Sequence, residues 1–147
     1  MTSESHTSGA FRRVLVGFDG SKDAQHALRV AVALAEDLRG EAHVLQVIRP
    51  PAHAETAEEV DRATEAEREN LSKGLSQMLL PRLGRSVITT EVAVSDDPAK
   101  ALAQHAADHG FDVVVVGGHG REQVTHRGIG HSLEALLRHH PCPVLVV

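Results

Sequence analysis

The chain has 147 residues, of which 41% are hydrophobic and 24% are charged, and this balance is typical of one globular domain. The composition excludes disorder, a collagen-like repeat and a membrane bundle as the main state of the chain. The formal net charge of −5 has the wrong sign for a protein that tracks phosphate backbones, and aromatic residues, which stack on bases, make up only 2%. We therefore expect no nucleic-acid partner.

The cysteine content and the first residues of the chain indicate its compartment. A single cysteine, Cys142, excludes an internal disulfide and a cysteine-cluster zinc site. Residues 1–10 lack the apolar core of a signal peptide, and no apolar run approaches the ~20 residues that a membrane helix needs. We expect a cytoplasmic protein with no membrane partner, a disordered tail over residues 1–10 and one domain over residues 11–147.

The first part of the chain alternates strand and helix patterns. Val14–Phe18 is a short apolar run that predicts a buried strand, and turn and capping residues follow it. From Ala24 to Leu38 apolar residues recur at helical spacing, and Gly40 stands where the end of a helix favours glycine. His43–Ile48 predicts a second strand, which a pair of prolines ends.

The middle of the chain predicts two helices around an edge strand. The segment from Glu55 to about Leu80 is charged, with a thin apolar stripe, and is typical of a helix with one solvated face. Val87–Val94 alternates apolar and polar residues, which favours a strand at the edge of a sheet. Asp97 and Pro98 predict the start of a helix that ends at Gly110.

The last part of the chain holds two unbroken apolar runs. Val113–Val116 and Val144–Val147 are typical of parallel strands that helices cover on both faces. Ser132–His140 predicts a short helix between them, stopped by a proline. Five strands that alternate with four helices indicate an α/β fold, a doubly wound parallel sheet with helices on both faces. Ligands of such sheets bind beyond the carboxyl ends of the strands, where the strand order reverses.

A glycine-rich loop follows the fourth predicted strand at this edge. Five glycines lie among the sixteen residues from Gly117 to Ser132, directly before a helix. Glycines let backbone amides approach an anion, and a helix N-terminus offers free N–H groups, so the loop predicts a phosphate site. The alternative is that the glycines only make tight turns. The loop lacks the Gly-Lys-Ser/Thr of a P-loop, and Gln123 stands where a dinucleotide fingerprint needs its third glycine.

The spacing of three loop glycines resembles the nucleotide loop of the universal stress protein family. These are Gly117, two residues, Gly120, nine residues and Gly130. The segments 14–21 and 141–147 are similar to the opening and closing strands of that family. The resemblance implies a five-stranded sheet in the order 3-2-1-4-5, which brings Asp19 beside the glycine loop.

The resemblance also implies a site for ATP, with or without Mg²⁺. It implies that Gly17 and Asp19 lie near the ribose and base, and that Val47 meets adenine through its backbone. The residues that it places at the phosphates are Gly117, Gly118, His119, Gly120 and Arg121, with the amides of Gly130, His131 and Ser132.

The chain departs from the family pattern at His131. In the relatives that hold ATP the residue after the last motif glycine is Ser or Thr, and here Ser132 comes one position later. The imidazole would either donate a hydrogen bond to a phosphate or fill the phosphate position with its bulk. Two functions follow: an ATP-binding regulatory module of the stress response, or a nucleotide-free dimeric stress protein.

An enzyme is the less favoured class. Gly128 stands where the His-x-Gly-His signature of nucleotidyltransferases needs its first histidine, and no pair of base and nucleophile is evident. We predict no catalytic residue and leave slow ATP hydrolysis open. The apolar closing strand Val144–Val147 carries no charged residue, so we expect a homodimer through it, besides protein partners that the sequence does not identify.

The remaining histidines predict no metal site. Three of them lie in the glycine loop, where the spacing lacks the i, i+4 arrangement of helical metal ligands. The histidines away from the loop, taken one by one, are interpreted as surface or satisfied histidines: His26, His43, His53, His105 and His109. Cys142 lies between two prolines and is interpreted as a packing residue rather than a redox group.

Overall fold

A parallel sheet of five strands forms the centre of the fold. The computed structural model describes residues 11–48, 50–79, 87–118, 131–139 and 142–147. The strands in these ranges are β1 (Arg13–Gly17), β2 (Glu41–Ile48), β3 (Val87–Val94), β4 (Val113–Val116) and β5 (Val144–Val146). The helices are α1 (Lys22–Asp37), α2 (Ala57–Leu79), α3 (Pro98–Asp108) and α4 (His131–His139). The sheet order is β3-β2-β1-β4-β5, which confirms the predicted 3-2-1-4-5 order and the α/β class.

The order of the strands reverses between β1 and β4. All four pairings are parallel, and β1 lies between β2 and β4, with Gly17 opposite Leu45 and Val16 opposite Val115. The carboxyl ends of these three strands therefore meet at one edge of the sheet. This edge is where an open α/β sheet forms its ligand crevice.

Two helices cover each face of the sheet. On one face, α1 and α2 pack through residues such as Leu28 and Leu75 against Val14, Val16 and Val115. On the other face, α3 and α4 pack on the remaining strand residues, and every residue of β4 is buried. The four-valine run of β4 thus fills both layers, as its sequence predicts.

The ends of the helices follow from local hydrogen bonds. Ser21 caps α1, because its Oγ accepts the Ala24 N–H at 3.1 Å. Asp97 caps α3 in the same way, with its carboxylate accepting the Lys100 N–H at 3.2 Å, and Pro98 is the first helical residue. The predicted start of this helix at Asp97 and Pro98 is confirmed.

The end of α1 differs from the prediction for Gly40. The residue in the left-handed region is Arg39, with φ of 54°, and not the glycine. A Cβ at Gly40 would lie 1.9 Å from the carbonyl oxygen of Arg12, so Gly40 is required by a close backbone approach instead. At the end of α3, Gly110 has φ of 63°, which agrees with the glycine stop predicted there.

The two edges of the sheet differ in character. β3 is an edge strand, as predicted, and its Val87 is exposed. β5 is the other edge, and there Leu145 is 38% exposed and Val146 is 45% exposed. Among the residues that the structure describes, no helix has the length and apolar character to cross a membrane.

Candidate functional site

At the carboxyl end of β2, the backbone N–H and C=O of Val47 face the point where the strand order reverses. The Phe18 N–H donates to the Leu45 carbonyl at 3.0 Å, so that carbonyl points toward β1. The Ser95 N–H donates to the Ile48 carbonyl at 2.9 Å, so that carbonyl points the other way, toward β3. Because backbone groups alternate along a strand, the N–H and C=O of Val47 point to the β1 side, beyond the end of β1. One donor and one acceptor of the same residue therefore face the site.

Two predicted site glycines lie in close contact with helices. A Cβ at Gly17 would lie 2.8 Å from a methyl group of Leu102 on α3, which is the end of a flexible side chain. A Cβ at Gly117 would lie 2.7 Å from the Cβ of Asp23 and 2.8 Å from its carbonyl carbon. Gly117 thus has a packing role, since it lets the first turn of α1 approach the end of β4.

Gly118 takes part in the sheet rather than in an open amide cradle. Its N–H donates to the Val147 carbonyl at 3.1 Å, and the Val147 N–H donates to the Val116 carbonyl at 3.0 Å. The family resemblance implies that Gly118 is among the phosphate contacts. In this arrangement its amide hydrogen is already engaged, so any contact with a ligand would have to use another part of the residue.

Asp19 shapes the turn that connects β1 to α1. Its Oδ1 accepts the Ser21 N–H at 2.9 Å, and Gly20 between them has φ of 82°. This is the turn chemistry expected of an aspartate followed by glycine and serine. The half-buried carboxylate nevertheless stands at the carboxyl end of β1, next to the reversal point of the sheet.

The remaining predicted contacts lie in or next to the glycine loop. His119, Gly120, Arg121 and Gly130 lie outside the described residues. The backbone of His131 and Ser132 forms the first turn of α4, one residue earlier than the sequence predicts. The first N–H groups of a helix have no partner within the helix, so this turn directs amides toward the edge where β4 ends.

A second group of polar side chains lies on the α3 face of the sheet, toward the amino ends of the strands. We call the three residues His43, Glu91 and His105 the His-Glu-His cluster. The Glu91 carboxylate oxygen Oε2 is 3.2 Å from His43 Nε2 and 3.5 Å from His105 Nε2. His43 comes from β2, Glu91 from β3 and His105 from α3. The structure thus joins residues that are far apart in the sequence.

A hydroxyl group and aromatic rings surround the imidazoles of the cluster. His43 Nδ1 is hydrogen-bonded to the Thr89 hydroxyl, directly opposite on β3. The Phe111 ring lies 5.4 Å from the His43 ring and 5.7 Å from the His105 ring, between centroids. The His109 ring stacks on His105 at 4.2 Å. The cluster therefore has an apolar wall on one side and a hydroxyl behind one imidazole.

Burial lowers the pKa of His105 below its ordinary value of 6.5. The nearby His109 and His43 rings lower this pKa further, whereas the carboxylates of Glu91 and Asp108 raise it. The net direction is downward, so the His105 imidazole is neutral near pH 7. A neutral imidazole has a free lone pair on one ring nitrogen.

Sequence reasoning missed this cluster because it took the histidines singly. One signal was present: His105 in the last turn of α3 and His109 at its C-cap are four residues apart, so their rings lie on the same side of the helix end. The position of Glu91 was not visible, because it follows from the β2–β3 register, in which Glu91 lies opposite Leu45. The side chains of residues 43 and 91 meet as diagonal neighbours on one face.

Cys142 behaves as the packing residue that the sequence predicts. Its side chain is half-buried and packs against the core between the sheet and α3 and α4. Burial raises the pKa of the thiol, and the Asp112 carboxylate raises it further. A raised pKa keeps the sulfur protonated and weakly nucleophilic.

Comparison with known proteins shows where this architecture occurs. A model of the Universal stress protein family matches residues 10–147. UspA from Lactobacillus plantarum superposes with a TM-score of 0.78 at 22% identity, over 93% of this chain and 97% of that chain. A universal stress protein in complex with cAMP gives 0.67 at 22% identity, over 94% and 97%. The universal stress protein from Archaeoglobus fulgidus in complex with dAMP gives 0.65 at 17% identity, over 93% and 98%.

The structural matches are below 25% identity and show the fold. Two of those proteins hold an adenine nucleotide. The match to the family model covers nearly the entire sequence, from the start of the described residues to Val147. This chain therefore belongs to the universal stress protein family.

Proposed function

We propose that this protein binds ATP at the carboxyl ends of β1, β2 and β4 and acts as a regulatory module of the stress response. The observation that carries the proposal is that the backbone N–H and C=O of Val47 both point to the β1 side, beyond the end of β1. Adenine offers a matching pair on one edge, the N6 amino donor and a ring nitrogen acceptor. Guanine carries an acceptor oxygen where adenine has its amino group, so the same carbonyl would repel it.

The rest of the nucleotide fits the same edge of the sheet. The Asp19 carboxylate stands at the carboxyl end of β1, and a carboxylate is an acceptor of the kind that ribose hydroxyls require. The first turn of α4 supplies backbone amides for phosphate oxygens. Two proteins of the same fold are in complex with cAMP and dAMP, which supports an adenine nucleotide as the ligand.

The module binds its nucleotide rather than turning it over rapidly. Two of the residues at the described part of this edge are Val47, which contributes backbone groups, and Asp19, whose carboxylate accepts the Ser21 N–H. We infer that the bound state acts by changing the surface that the protein offers to a partner.

We infer that the first partner of this protein is a second copy of the chain, which pairs with the β5 edge. Alternation along β5 directs the backbone groups of Val144 and Val146 away from β4, because those of Pro143 and Val147 bond to β4. Beside this edge lies an apolar groove of about 300 Å³, open to solvent. Its lining residues are Phe11, Leu34, Leu38, Val113, Pro143, Val144 and Leu145. An edge of this kind favours pairing with the β5 of another copy.

The central experiment asks which nucleotide the protein holds. The purified protein is denatured and the released nucleotide identified, and the melting temperature of nucleotide-free protein is then compared with ATP, with GTP and with each plus Mg²⁺. A ligand at about 100 times its Kd adds roughly 2.7 kcal/mol of stability. We expect stabilisation by ATP and none by GTP at equal concentration.

Absence of released nucleotide together with absence of any shift would reject ATP binding and favour the nucleotide-free dimer. His131→Ser then tests the residue that departs from the family pattern. A loss of ATP affinity in this variant indicates that the imidazole donates to phosphate, whereas a gain indicates that its bulk obstructs the site.

A further inference from the structure

We propose that the His-Glu-His cluster is a binding site for a divalent transition metal of the zinc class. The site lies on the α3 face, toward the amino ends of the strands, and does not depend on the nucleotide site. His43, Glu91 and His105 each offer one ligand atom, and these atoms all lie within 4.8 Å of one another.

The distances suit a small metal ion. Zinc binds imidazole nitrogen and carboxylate oxygen at about 2.0–2.2 Å, which places tetrahedral ligand atoms roughly 3.3 Å apart. The Glu91 oxygen is 3.2 Å from His43 Nε2 and 3.5 Å from His105 Nε2, so two edges of such a tetrahedron are already formed. Only the edge between the two imidazoles has to adjust.

The adjustment is a rotation of one ring. The His43 and His105 ring planes are 11° from parallel, with centroids 5.3 Å apart. Lone pairs lie in the plane of an imidazole, so a shared ion requires one ring to turn about its Cβ–Cγ bond. Both side chains are enclosed only in part, at 18% exposure for His43 and 12% for His105.

The donor set identifies the class of metal. Two imidazoles and one carboxylate are the ligands of many zinc sites that keep a fourth position for water. Oxygen-seeking ions such as Mg²⁺ and Ca²⁺ favour carboxylates and carbonyls over imidazole. The Glu91 side chain is 47% exposed, so the ion would lie near the surface with room for a water ligand.

Contacts around the cluster orient the ligand side chains. When the proton is on His43 Nδ1, that N–H donates a hydrogen bond to the Thr89 hydroxyl oxygen, and Nε2 then has a lone pair that faces Glu91. His105 is held between Phe111 and His109. The carboxylate of Glu91 offsets the charge of the incoming ion.

The test is a titration of the full-length, untagged chain with Zn²⁺ by calorimetry, in the absence of nucleotide. We expect each chain to bind one zinc ion tightly. Replacing a ligand in His43→Gln, Glu91→Gln or His105→Gln should weaken this binding by at least about tenfold, the lower end of the effect known for groups that merely support a ligand. His26→Gln, an exposed histidine of α1, is the matched control and should change nothing.

A second variant set separates the cluster from the other histidines. Replacement of the three loop histidines, His119, His126 and His131, should leave the tight zinc ion in place. Co²⁺ should give the visible absorption of a low-coordinate site in the wild type and lose it in Glu91→Gln. Because Glu91 is half-exposed, that variant is expected to fold, which circular dichroism without metal verifies.

The proposal is overturned if zinc affinity is the same in Glu91→Gln and in the double variant His43→Gln/His105→Gln as in the wild type. It is equally overturned if the tight ion disappears with the three loop histidines, or if the wild type binds no zinc ion tightly.

Discussion

Gly117 lies so close to Asp23 that no other residue fits at its position without a shift of the backbone. A Cβ there would come within 2.8 Å of the Asp23 carbonyl carbon and 2.9 Å of its oxygen. The first turn of α1 and the end of β4 therefore touch through a glycine, and this contact defines one wall of the candidate nucleotide site.

We predict that Gly117→Ala destabilises the fold by about 1–3 kcal/mol, because the new methyl group meets backbone atoms that cannot rotate away. Gly118→Ala is the matched control. Among the described residues, its Cβ would have no neighbour closer than 3.8 Å, so stability should change by no more than about 0.5 kcal/mol. Urea denaturation of both variants measures the difference, and equal stabilities would contradict the packing role of Gly117.

Asp19→Asn separates the turn from the ligand site. The amide oxygen can still accept the Ser21 N–H, so the hydrogen bond that shapes the turn is kept. Affinity for ATP should fall by about tenfold, because a neutral amide accepts ribose hydrogen bonds more weakly than a carboxylate. Ser21→Ala is the converse control: it removes the α1 cap, at a cost of about 1 kcal/mol, and should leave ATP affinity unchanged. Unchanged ATP binding in Asp19→Asn would remove Asp19 from the site.

Acid should destabilise the protein through His105. Its pKa is lowered in the folded state by burial first and by the nearby imidazoles second, so the unfolded chain binds the proton more readily. The contribution of His105 to the free energy of unfolding is therefore constant at pH values above its ordinary pKa of 6.5. This contribution falls as the pH drops through 6.5, and it stops falling once the pH is below the pKa of His105 in the folded state. His105→Gln should flatten this part of the stability curve in the presence of a metal chelator, whereas His26→Gln should not. The same slope in the wild type and His105→Gln would contradict this assignment.

The two edges of the sheet allow a paired test of subunit association. Val146→Lys introduces a charge into the β5 edge, and we expect sedimentation to show a monomer at micromolar concentration. Val87→Lys introduces the same charge at the β3 edge, where the valine is 58% exposed, and should leave the association unchanged. A wild-type monomer, or a dimer that survives Val146→Lys, would show that β5 is not the interface.

Much of the fold follows from local patterns in the sequence. The Val113–Val116 run predicts a strand covered on both faces because β-branched residues without polar alternation have no solvated side, and β4 has the same bounds. Capping residues mark helix starts equally well, since the Asp97 carboxylate accepts the Lys100 N–H and Pro98, at the first helical position, has no N–H that needs a partner. The strand order came from the resemblance of the glycine loop to a family, because local patterns carry no information about which strands pair.

The site was only partly accessible to sequence reasoning. Glycines were predicted as ligand contacts. Gly17 also lies close to Leu102 and Gly117 close to Asp23, and no local sequence pattern reveals these tertiary contacts. Gly40 was assigned the left-handed position that Arg39 takes, because a close approach to Arg12 depends on tertiary structure. The His-Glu-His cluster was missed for the same reason: strand register and helix docking bring its members together.

The hydrogen bond from the Gly118 N–H to the Val147 carbonyl joins the start of the glycine loop to the end of the edge strand β5. Gly118 opens the glycine loop, and Val147 directly follows the exposed Val146 of the β5 edge. A ligand that displaced Gly118 would strain this hydrogen bond and would therefore displace Val147, at the end of the edge strand, as well. Nucleotide occupancy and subunit pairing would then be mechanically coupled through a single rung of the sheet, with no need for a separate relay of side chains.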